Sequence, residues 1–512
     1  MMLCTNQEYS EAALKQSTFN LPLGNARGNI FDCNFKQITN TAAVDYALIS
    51  PGGENYRKAF ASVPSEQRSL LYSGTKRMEP FLVPVTNNVF NAKYIYRSYE
   101  RYAPLAIAPH LIGYTDRDNK GCAGIEYAFD SFLQNASTTK EVLGNTSAAG
   151  TVLDGAPPVE IDTKGSGNGV MLTLDLRIQR ICEGIAEECV NKGSIVVMDC
   201  DTGRVRASVS MPRFNPSAPE KSLDALDAPF INRSISRFNL GSVFKPLIAA
   251  TALENGVEAN AVYHCTGAID VNGHVYKCAY GKGHGDVDMR KALEISCNCY
   301  FVDLGLRLGG DIIHDTAKAA GFGEATHVAN GMATAQGNLP SKQTLADLGQ
   351  LAAISFGQGE LLCTPLQVAA FMNLFANGGK YIEPSFVEGE VNEYLRCVTR
   401  SLYAPQQRTV LSEYTSEVMR DMLVNVVQNG LGKAAMPREG GAGGKTGTAQ
   451  TGRMAQDGKE LMDAWFAGFY PANNPQYIIV VLLDEGTHES EEACKIFAKV
   501  ANTISLCQNI AE

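Results

Sequence analysis

The sequence has no apolar run long enough to cross a bilayer. Its longest such stretches, Pro246 to Leu253 and Tyr477 to Leu483, fall far short of the roughly 20 residues a spanning helix needs, and they read as core segments. An excess of positive charge is also missing. The formal net charge is -10, which argues against nucleic acid as the main partner, because phosphate binding calls for a basic face. The opening Met1 to Gly28 has no basic region followed by an apolar run and no small-residue cleavage site. No signal peptide is visible, and on that ground alone the chain reads as cytoplasmic. Internal repeats and low-complexity tracts are absent as well, so the chain is not a repeat array.

Hydrophobic residues make up 45% and charged residues 19% of the 512 positions. A normal core can be buried, and the length is too great for one ordinary core, which suggests two or three domains. Fourteen cysteines in a chain of this size are not a disulfide framework. Cys182, Cys189 and Cys494 fall on expected helix faces as small hydrophobes.

Residues 1 to about 160 are irregular, with strand-like runs such as Lys93 to Tyr96 and frequent Pro, Gly and Asn. They read as a partly β, non-catalytic module. Gly155-Ala-Pro-Pro158 and then Lys164-Gly-Ser-Gly-Asn-Gly169 have linker chemistry and mark a boundary, giving units 1–160 and 161–512. Beyond it the pattern becomes regular: a strand over Met171 to Leu174, a helix over Leu176 to Val190, and a hairpin of Ile195 to Met198 with Val205 to Val209 through Asp201-Thr-Gly203. Tyr477 to Leu483 suits a central strand and Glu491 to Leu506 a helix. The expected class is α/β (α+β), a sheet with its first and last helices against it.

Gly241-Ser-Val-Phe-Lys-Pro246 opens an apolar helix over Leu247 to Glu254. Ser242 then lies in or just before the first turn, and Lys245, three positions on, shares its face. The Lys245 amine comes within reach of the Ser242 hydroxyl, and the helix N-terminus favours negative charge there. A lysine serves as base only when neutral, which needs burial or a neighbouring positive charge. Ser-x-x-Lys alone is a weak signal: Ser73-Gly-Thr-Lys76 and Ser137-Thr-Thr-Lys140 match it too. Only the Ser242 copy opens a long apolar helix; Ser73 reads as a loop residue and Ser137 as an exposed turn or helix cap.

Ser296-Cys-Asn298 follows an expected short helix over Met289 to Ile295. Its hydroxyl can relay a proton between Lys245 and a leaving amine, and its carboxamide can bond a substrate backbone. A cap or turn is the bland alternative, and Ser166-Gly-Asn168 is a decoy of the same form. Gly443-Gly-Lys-Thr-Gly-Thr-Ala-Gln450 contains the single Lys-Thr-Gly. As a phosphate loop it lacks the leading glycine, replaced by Glu439, and its continuation reads extended. As a strand edge it presents the Lys445 charge and the Thr446 hydroxyl to a carboxylate, while Gly447 lets a substrate backbone approach.

In order and rough spacing, Ser242-Val-Phe-Lys245, Ser296-Cys-Asn298 and Lys445-Thr-Gly447 resemble the three active-site motifs of penicillin-binding proteins and serine β-lactamases. Arg27-Gly-Asn-Ile-Phe-Asp32, His110-Leu-Ile-Gly-Tyr114, Gly124-Ile-Glu126, Leu172-Thr-Leu-Asp175, Asn232-Arg233, His284-Gly285, Gly357-Gln-Gly359, Thr364-Pro-Leu-Gln367 and Ala464-Trp-Phe-Ala-Gly468 narrow the resemblance to class B, the monofunctional transpeptidases, from residue 9 onward. The resemblance implies a central, mostly antiparallel sheet flanked by helices, preceded by a pedestal or dimerisation-like module. It implies Ser242 as acylated nucleophile, Lys245 as its base, Ser296 as proton shuttle, and Asn298 holding the substrate amide. Lys445 and Thr446 would bind the carboxylate, and the backbone N–H groups of Ser242 and Thr448 would form the oxyanion hole.

The implied reaction is peptidoglycan D,D-transpeptidation of stem peptides with release of D-alanine, inhibited by β-lactams, without a cofactor and with a glycan-polymerising partner in the membrane. A D,D-carboxypeptidase or β-lactamase, or a β-lactam sensor or scaffold, is the competing reading. Leu240 stands where the family often has proline, and Cys33 where it usually has arginine. Family members carry a membrane helix before the Tyr9 to Asp32 region, so the resemblance places the enzyme outside the cytoplasmic membrane with its anchor ahead of this start. His264, Cys265, His274, Cys278, His284, Cys297 and Cys299 raise the question of zinc. No Cys-x2-Cys or His-x3-His spacing supports it, and no metal is expected. For an extracytoplasmic enzyme a disulfide from Cys278 to Cys265 or to Cys297 is expected instead. Oxidation at Cys297 would distort the site, a hypothesis that equal penicillin acylation of reduced and oxidised protein would refute.

Overall fold

The computed structural model describes residues 18–509 apart from 52–55, 57, 60–61, 64, 66–67, 76–78, 87–89, 91–93, 148–149, 154, 156, 164–167, 279–281, 330, 393, 396, 401–403, 456–457, 459 and 487–489. A five-stranded sheet dominates. Its spatial order is Val205–Met211, Gly193–Asp199, Tyr477–Gly486, Glu460–Tyr470, Gly443–Met454, and every neighbouring pair is antiparallel. The last strand in sequence therefore sits in the middle. Its unbroken apolar run follows from that place: Ile479, Val481 and Leu483 face one core with the Leu176–Cys189 and Ser490–Asn509 helices. Ile478, Val480 and Leu482 face the other, with Leu247 and Ile248 of the Lys245–Glu254 helix. A strand covered on both faces has no use for polar alternation.

The Lys245–Glu254 helix is buried from Lys245 through Ala252. It is apolar all round because it runs through the core rather than over it. Pro246 stands at its start, where a missing N–H costs no helical bond.

Nearer the N-terminus, Thr18–Ala26, Thr138–Asn145 and Val159–Thr163 form one sheet, and Ala42–Ile49 joins Phe81–Val85 and Ile95–Glu100 in another. The short strand Asn29–Phe31 pairs in parallel with Gly169–Leu172, which pairs with Val387–Val391. Beside it, the Asp32 carboxylate accepts the backbone N–H of Leu176 at 3.1 Å. Arg27 and Arg101 close on the buried carboxylate of Glu126 at 2.8 and 2.7 Å.

Several local expectations change. Ser73 lies in the Arg68–Thr75 helix rather than in a loop, its glycine and threonine neighbours forming the last turn; Lys76 is outside the described residues. Cys189 is exposed, at the end of its helix, whereas Cys182 and Cys494 are buried. The strand expected at Lys93 to Tyr96 begins at Ile95, and Lys93 is outside the described residues, as are Tyr9 and linker positions 164–167, which include the decoy Ser166. The strand expected to run to Leu174 ends at Leu172; beyond it the Thr173 N–H donates to the Phe386 carbonyl at 2.9 Å, and the Thr173 hydroxyl lies 2.8 Å from the carbonyls of Val205 and Ser385. None of the helices formed by the described residues is long and apolar enough to cross a membrane.

Candidate active site

Three elements converge at the edge of the central sheet. A 3-10 turn, Gly241–Phe244, feeds into the Lys245–Glu254 helix. Gly241 has φ +62, and a Cβ there would meet the Thr448 carbonyl oxygen at 2.5 Å. Its N–H donates to the Gly357 carbonyl at 2.9 Å. Only glycine tolerates both the left-handed backbone and the contact, so Ser242, which follows it, is held against the Thr448 backbone. Gly447 makes the matching approach, since a Cβ there would lie 2.7 Å from Val243 and 2.9 Å from the Leu240 carbonyl. The Trp465 indole donates to the Asn239 carbonyl at 2.8 Å, pinning the chain before the turn.

Lys245 is fully buried. Its ammonium donates to the Ser296 carbonyl at 2.8 Å, the Ser296 hydroxyl at 2.9 Å and the Asn298 side-chain oxygen at 2.7 Å. Those bonds occupy the donors of the amine. Among the described residues nothing hydrogen-bonds the half-buried Ser242 hydroxyl. Burial and then the nearby positive charge of Lys445 drive the Lys245 pKa well below the usual lysine range.

Ser296 has φ +56, a left-handed conformation that costs a non-glycine residue about 1–3 kcal/mol and tends to occur at functional sites. It turns the chain between the Met289–Glu294 and Asn298–Leu308 helices. Asn298 is held at both ends of its amide: the nitrogen donates to the Lys277 carbonyl at 2.9 Å and the oxygen accepts from Lys245. The carboxamide is thereby aligned beside the amine.

On the Gly443–Met454 edge strand, Lys445 is fully buried and Thr446 nearly so, while Thr448 is half-buried. The Lys445 amine donates to the carbonyl and hydroxyl of Thr446 at 3.1 and 3.2 Å, and burial lowers its pKa to about 7. Among the described residues no carboxylate forms an ion pair with either lysine. The Asp463 carboxyl, across from Ala449, is raised to about 7 by burial and by the charge of Asp484. The arrangement offers a serine at a backbone-lined turn, a buried amine bridged to a hydroxyl and an amide, and a second buried amine suited to an incoming carboxylate.

The decoys do not assemble. Ser137 links the Asp130–Asn135 helix to the Thr138–Asn145 strand, and Lys140 pairs with Glu160 at 2.8 Å. Sequence reasoning gave no role to Gly357 as the backstop of the Gly241–Phe244 turn; the tight pair of glycines around Gln358 was the available signal. The expected disulfides are not formed: Cys278 stands 3.7 Å, sulfur to sulfur, from both Cys265 and Cys297, against about 2.05 Å for a bond.

A penicillin binding protein transpeptidase domain matches residues 193–505. Among curated proteins, stage V sporulation protein D of Bacillus subtilis (strain 168) is 28% identical over 504 residues, covering 91% of this chain and 75% of its own length. The peptidoglycan D,D-transpeptidase MrdA of Acinetobacter baumannii is 27% identical over 453 residues, covering 77% of this chain and 64% of its own. A chain from a solved peptidoglycan synthase complex, described as coordinating polymerization and crosslinking, superposes with a TM-score of 0.72 at 25% identity, covering 97% of this chain and 93% of that one.

Proposed function

The chain belongs to the penicillin-binding protein transpeptidase family, in its class B branch of peptidoglycan D,D-transpeptidases, and we propose that it cross-links stem peptides through an acyl-enzyme on Ser242. The observation that carries this reading is the fully buried Lys245, bonded to Ser296 and Asn298 and paired with no carboxylate among the described residues. In its neutral form that amine takes the Ser242 proton as the oxygen attacks the carbonyl of the penultimate D-alanine. Negative charge developing on the carbonyl oxygen meets the backbone N–H groups of Ser242 and Thr448. The C–N bond then breaks, Ser296 passes the proton to the leaving amine, and D-alanine departs. An amine from a neighbouring strand attacks the ester, the same relay takes its proton, and Ser242 regains its own.

Lys445 and Thr446 hold the terminal carboxylate, Gly447 keeps the strand close to the turn, and Asn298 holds the substrate amide. A β-lactam, with its own carboxylate and strained amide, follows the first half of this path and stops at the ester. Residues 1–160 serve as the pedestal and 161–512 as the transpeptidase unit, working at the extracytoplasmic face of the membrane beside a glycan-polymerising partner. The solved complex of polymerization and crosslinking supports that last pairing.

The test supplies purified stem-peptide donor with candidate amines and identifies products by mass. Cross-linked product is expected from the wild type and none from Ser242→Ala. Donor merely shortened by D-alanine in the presence of every amine would make the protein a carboxypeptidase, and no reaction with donor or penicillin would make it a scaffold.

A further inference from the structure

Directly behind the Ser296-Cys-Asn298 turn lies a group of side chains that the transpeptidase chemistry does not use. Cys265 ends the Tyr263–Cys265 strand, whose partner Gly285–Val287 sets Gly285 opposite it and so brings up His284. Cys278 follows the hairpin of Ala268–Val271 and His274–Lys277. Cys297 is the N-cap of the Asn298–Leu308 helix. The three sulfurs and a His284 ring nitrogen all lie within 4.8 Å of one another, the thiols buried and the imidazole half-buried. We propose that Cys265, Cys278, His284 and Cys297 bind one zinc ion, which fixes the loop that carries Ser296 and Asn298.

Three of the six edges match those of a zinc tetrahedron. Zinc bonds of about 2.3 Å to sulfur and about 2.0–2.1 Å to nitrogen require edges of about 3.8 Å between sulfurs and about 3.6 Å between sulfur and nitrogen. The Cys265–Cys278 and Cys278–Cys297 separations are both 3.7 Å, and Cys265 Sγ lies 3.4 Å from His284 Nδ1. Three thiolates and an imidazole are a structural zinc set, and such soft donors disfavour magnesium and calcium. Backbone donors also serve the sulfurs: Cys299 N–H points to Cys278 Sγ and Tyr300 N–H to Cys297 Sγ, each at 3.5 Å, which steadies thiolate charge at a helix N-terminus. Cys299 itself, 3.4 Å from Cys278, lies outside the set of four. On binding, three thiol protons leave to solvent and neutral His284 donates its Nδ1 lone pair.

The ligands are sequence neighbours of the active-site contacts. Cys297 lies between Ser296 and Asn298, which hold Lys245, and Cys278 follows Lys277, whose carbonyl holds Asn298. A bound ion would keep Ser296 in its left-handed conformation and the Asn298 amide in line. The site stands without the Ser242 reading; only its effect on acylation rests on that reading, so metal content and acylation are read separately.

The experiment purifies the whole chain under reducing conditions, measures zinc by elemental mass spectrometry, and exchanges it for cobalt(II). About one zinc per chain and the thiolate-to-cobalt absorption of a tetrahedral thiolate-rich site are expected. Cys265→Ser and His284→Ala should weaken binding, while exposed Cys122→Ser should not. Removing zinc should slow acylation by a fluorescent penicillin about 10-fold, with recovery on adding zinc back. The cobalt spectrum of the wild type needs no variant to fold. Metal-free protein that gives no cobalt thiolate band, or full metal retention in both ligand variants, would each overturn the proposal.

Discussion

Two pairs of buried cations show how one charge is put to opposite uses. Arg27 and Arg233 are about as deeply buried as Lys245 and Lys445, yet each guanidinium is matched by carboxylates. Arg27 meets Glu126 and Asp130, both at 2.8 Å, and Arg233 meets Asp484 at 2.6 Å. Among the described residues the lysines have only neutral oxygens within bonding reach. A guanidinium keeps its charge in proteins, so burying it demands an anion and yields a fixed joint. An amine can give up its proton, and burial without an anion pushes it to do so. Arg27 thus ties the N-terminal strands to the 124–135 helices, and Arg233 anchors the segment ahead of Ser242, while the lysines are left free to change protonation state, as the proposed roles of Lys245 and Lys445 require.

Lys245→Arg should break the comparison most sharply. A permanent charge at the relay cannot accept the Ser242 proton, and penicillin acylation should fall about 1,000-fold, some 4 kcal/mol of barrier. Stopped-flow labelling measures it; a rate within tenfold of wild type would show that charge, rather than proton transfer, is what the site needs. Arg233→Met comes next. It strands Asp484 in the core beside Asp463 and should lower stability in denaturant by about 3–5 kcal/mol, with Arg233→Met/Asp484→Leu recovering most of the loss.

Lys445 gives a smaller, pH-dependent effect. Its folded pKa of about 7 lies below the 10.5 of a free lysine, so above about pH 7 the unfolded chain binds a proton that the folded chain does not. Stability should therefore gain from this residue as pH rises from about 7 toward 9, by up to about 1.4 kcal/mol per pH unit. Denaturant curves of Lys445→Met should have a shallower slope across that range. At the surface, Lys140→Ala breaks the pair with Glu160 and should change stability by less than about 1 kcal/mol, leaving acylation unchanged. A large effect there would mean that exposed pairs matter as buried ones do.

Much of this was legible in the sequence because local signals agreed. The unbroken run at Tyr477 to Leu483 can only be a covered strand or a buried helix segment, and its β-branched residues decide for a strand. Ser242 was separable from Ser137 by the apolar helix behind it. What stayed hidden depends on distant contacts. Ser296 was already set beside Lys245 from sequence, but nothing local tells that Asn298 also accepts from that amine, or that Gly357 backs the turn that carries Ser242, because those partners meet only when the helices fold over the sheet edge. The proposed ligands were named in the sequence and set aside on spacing: Cys265, Cys278, His284 and Cys297 are separated by twelve, five and twelve residues, with no Cys-x2-Cys knuckle. Ser73 was misplaced because a glycine and a threonine in the final turn of a helix look like a loop.

The central claim is that Ser242, served by a buried lysine that no carboxylate pairs among the described residues, carries the acyl group. Intact-protein and peptide mass spectrometry after brief incubation with benzylpenicillin tests it most directly. The account predicts one penicilloyl adduct on the peptide containing Ser242, absent in Ser242→Ala and slow to form in Lys245→Arg. An adduct on another residue, or an adduct that persists in Ser242→Ala, would contradict it.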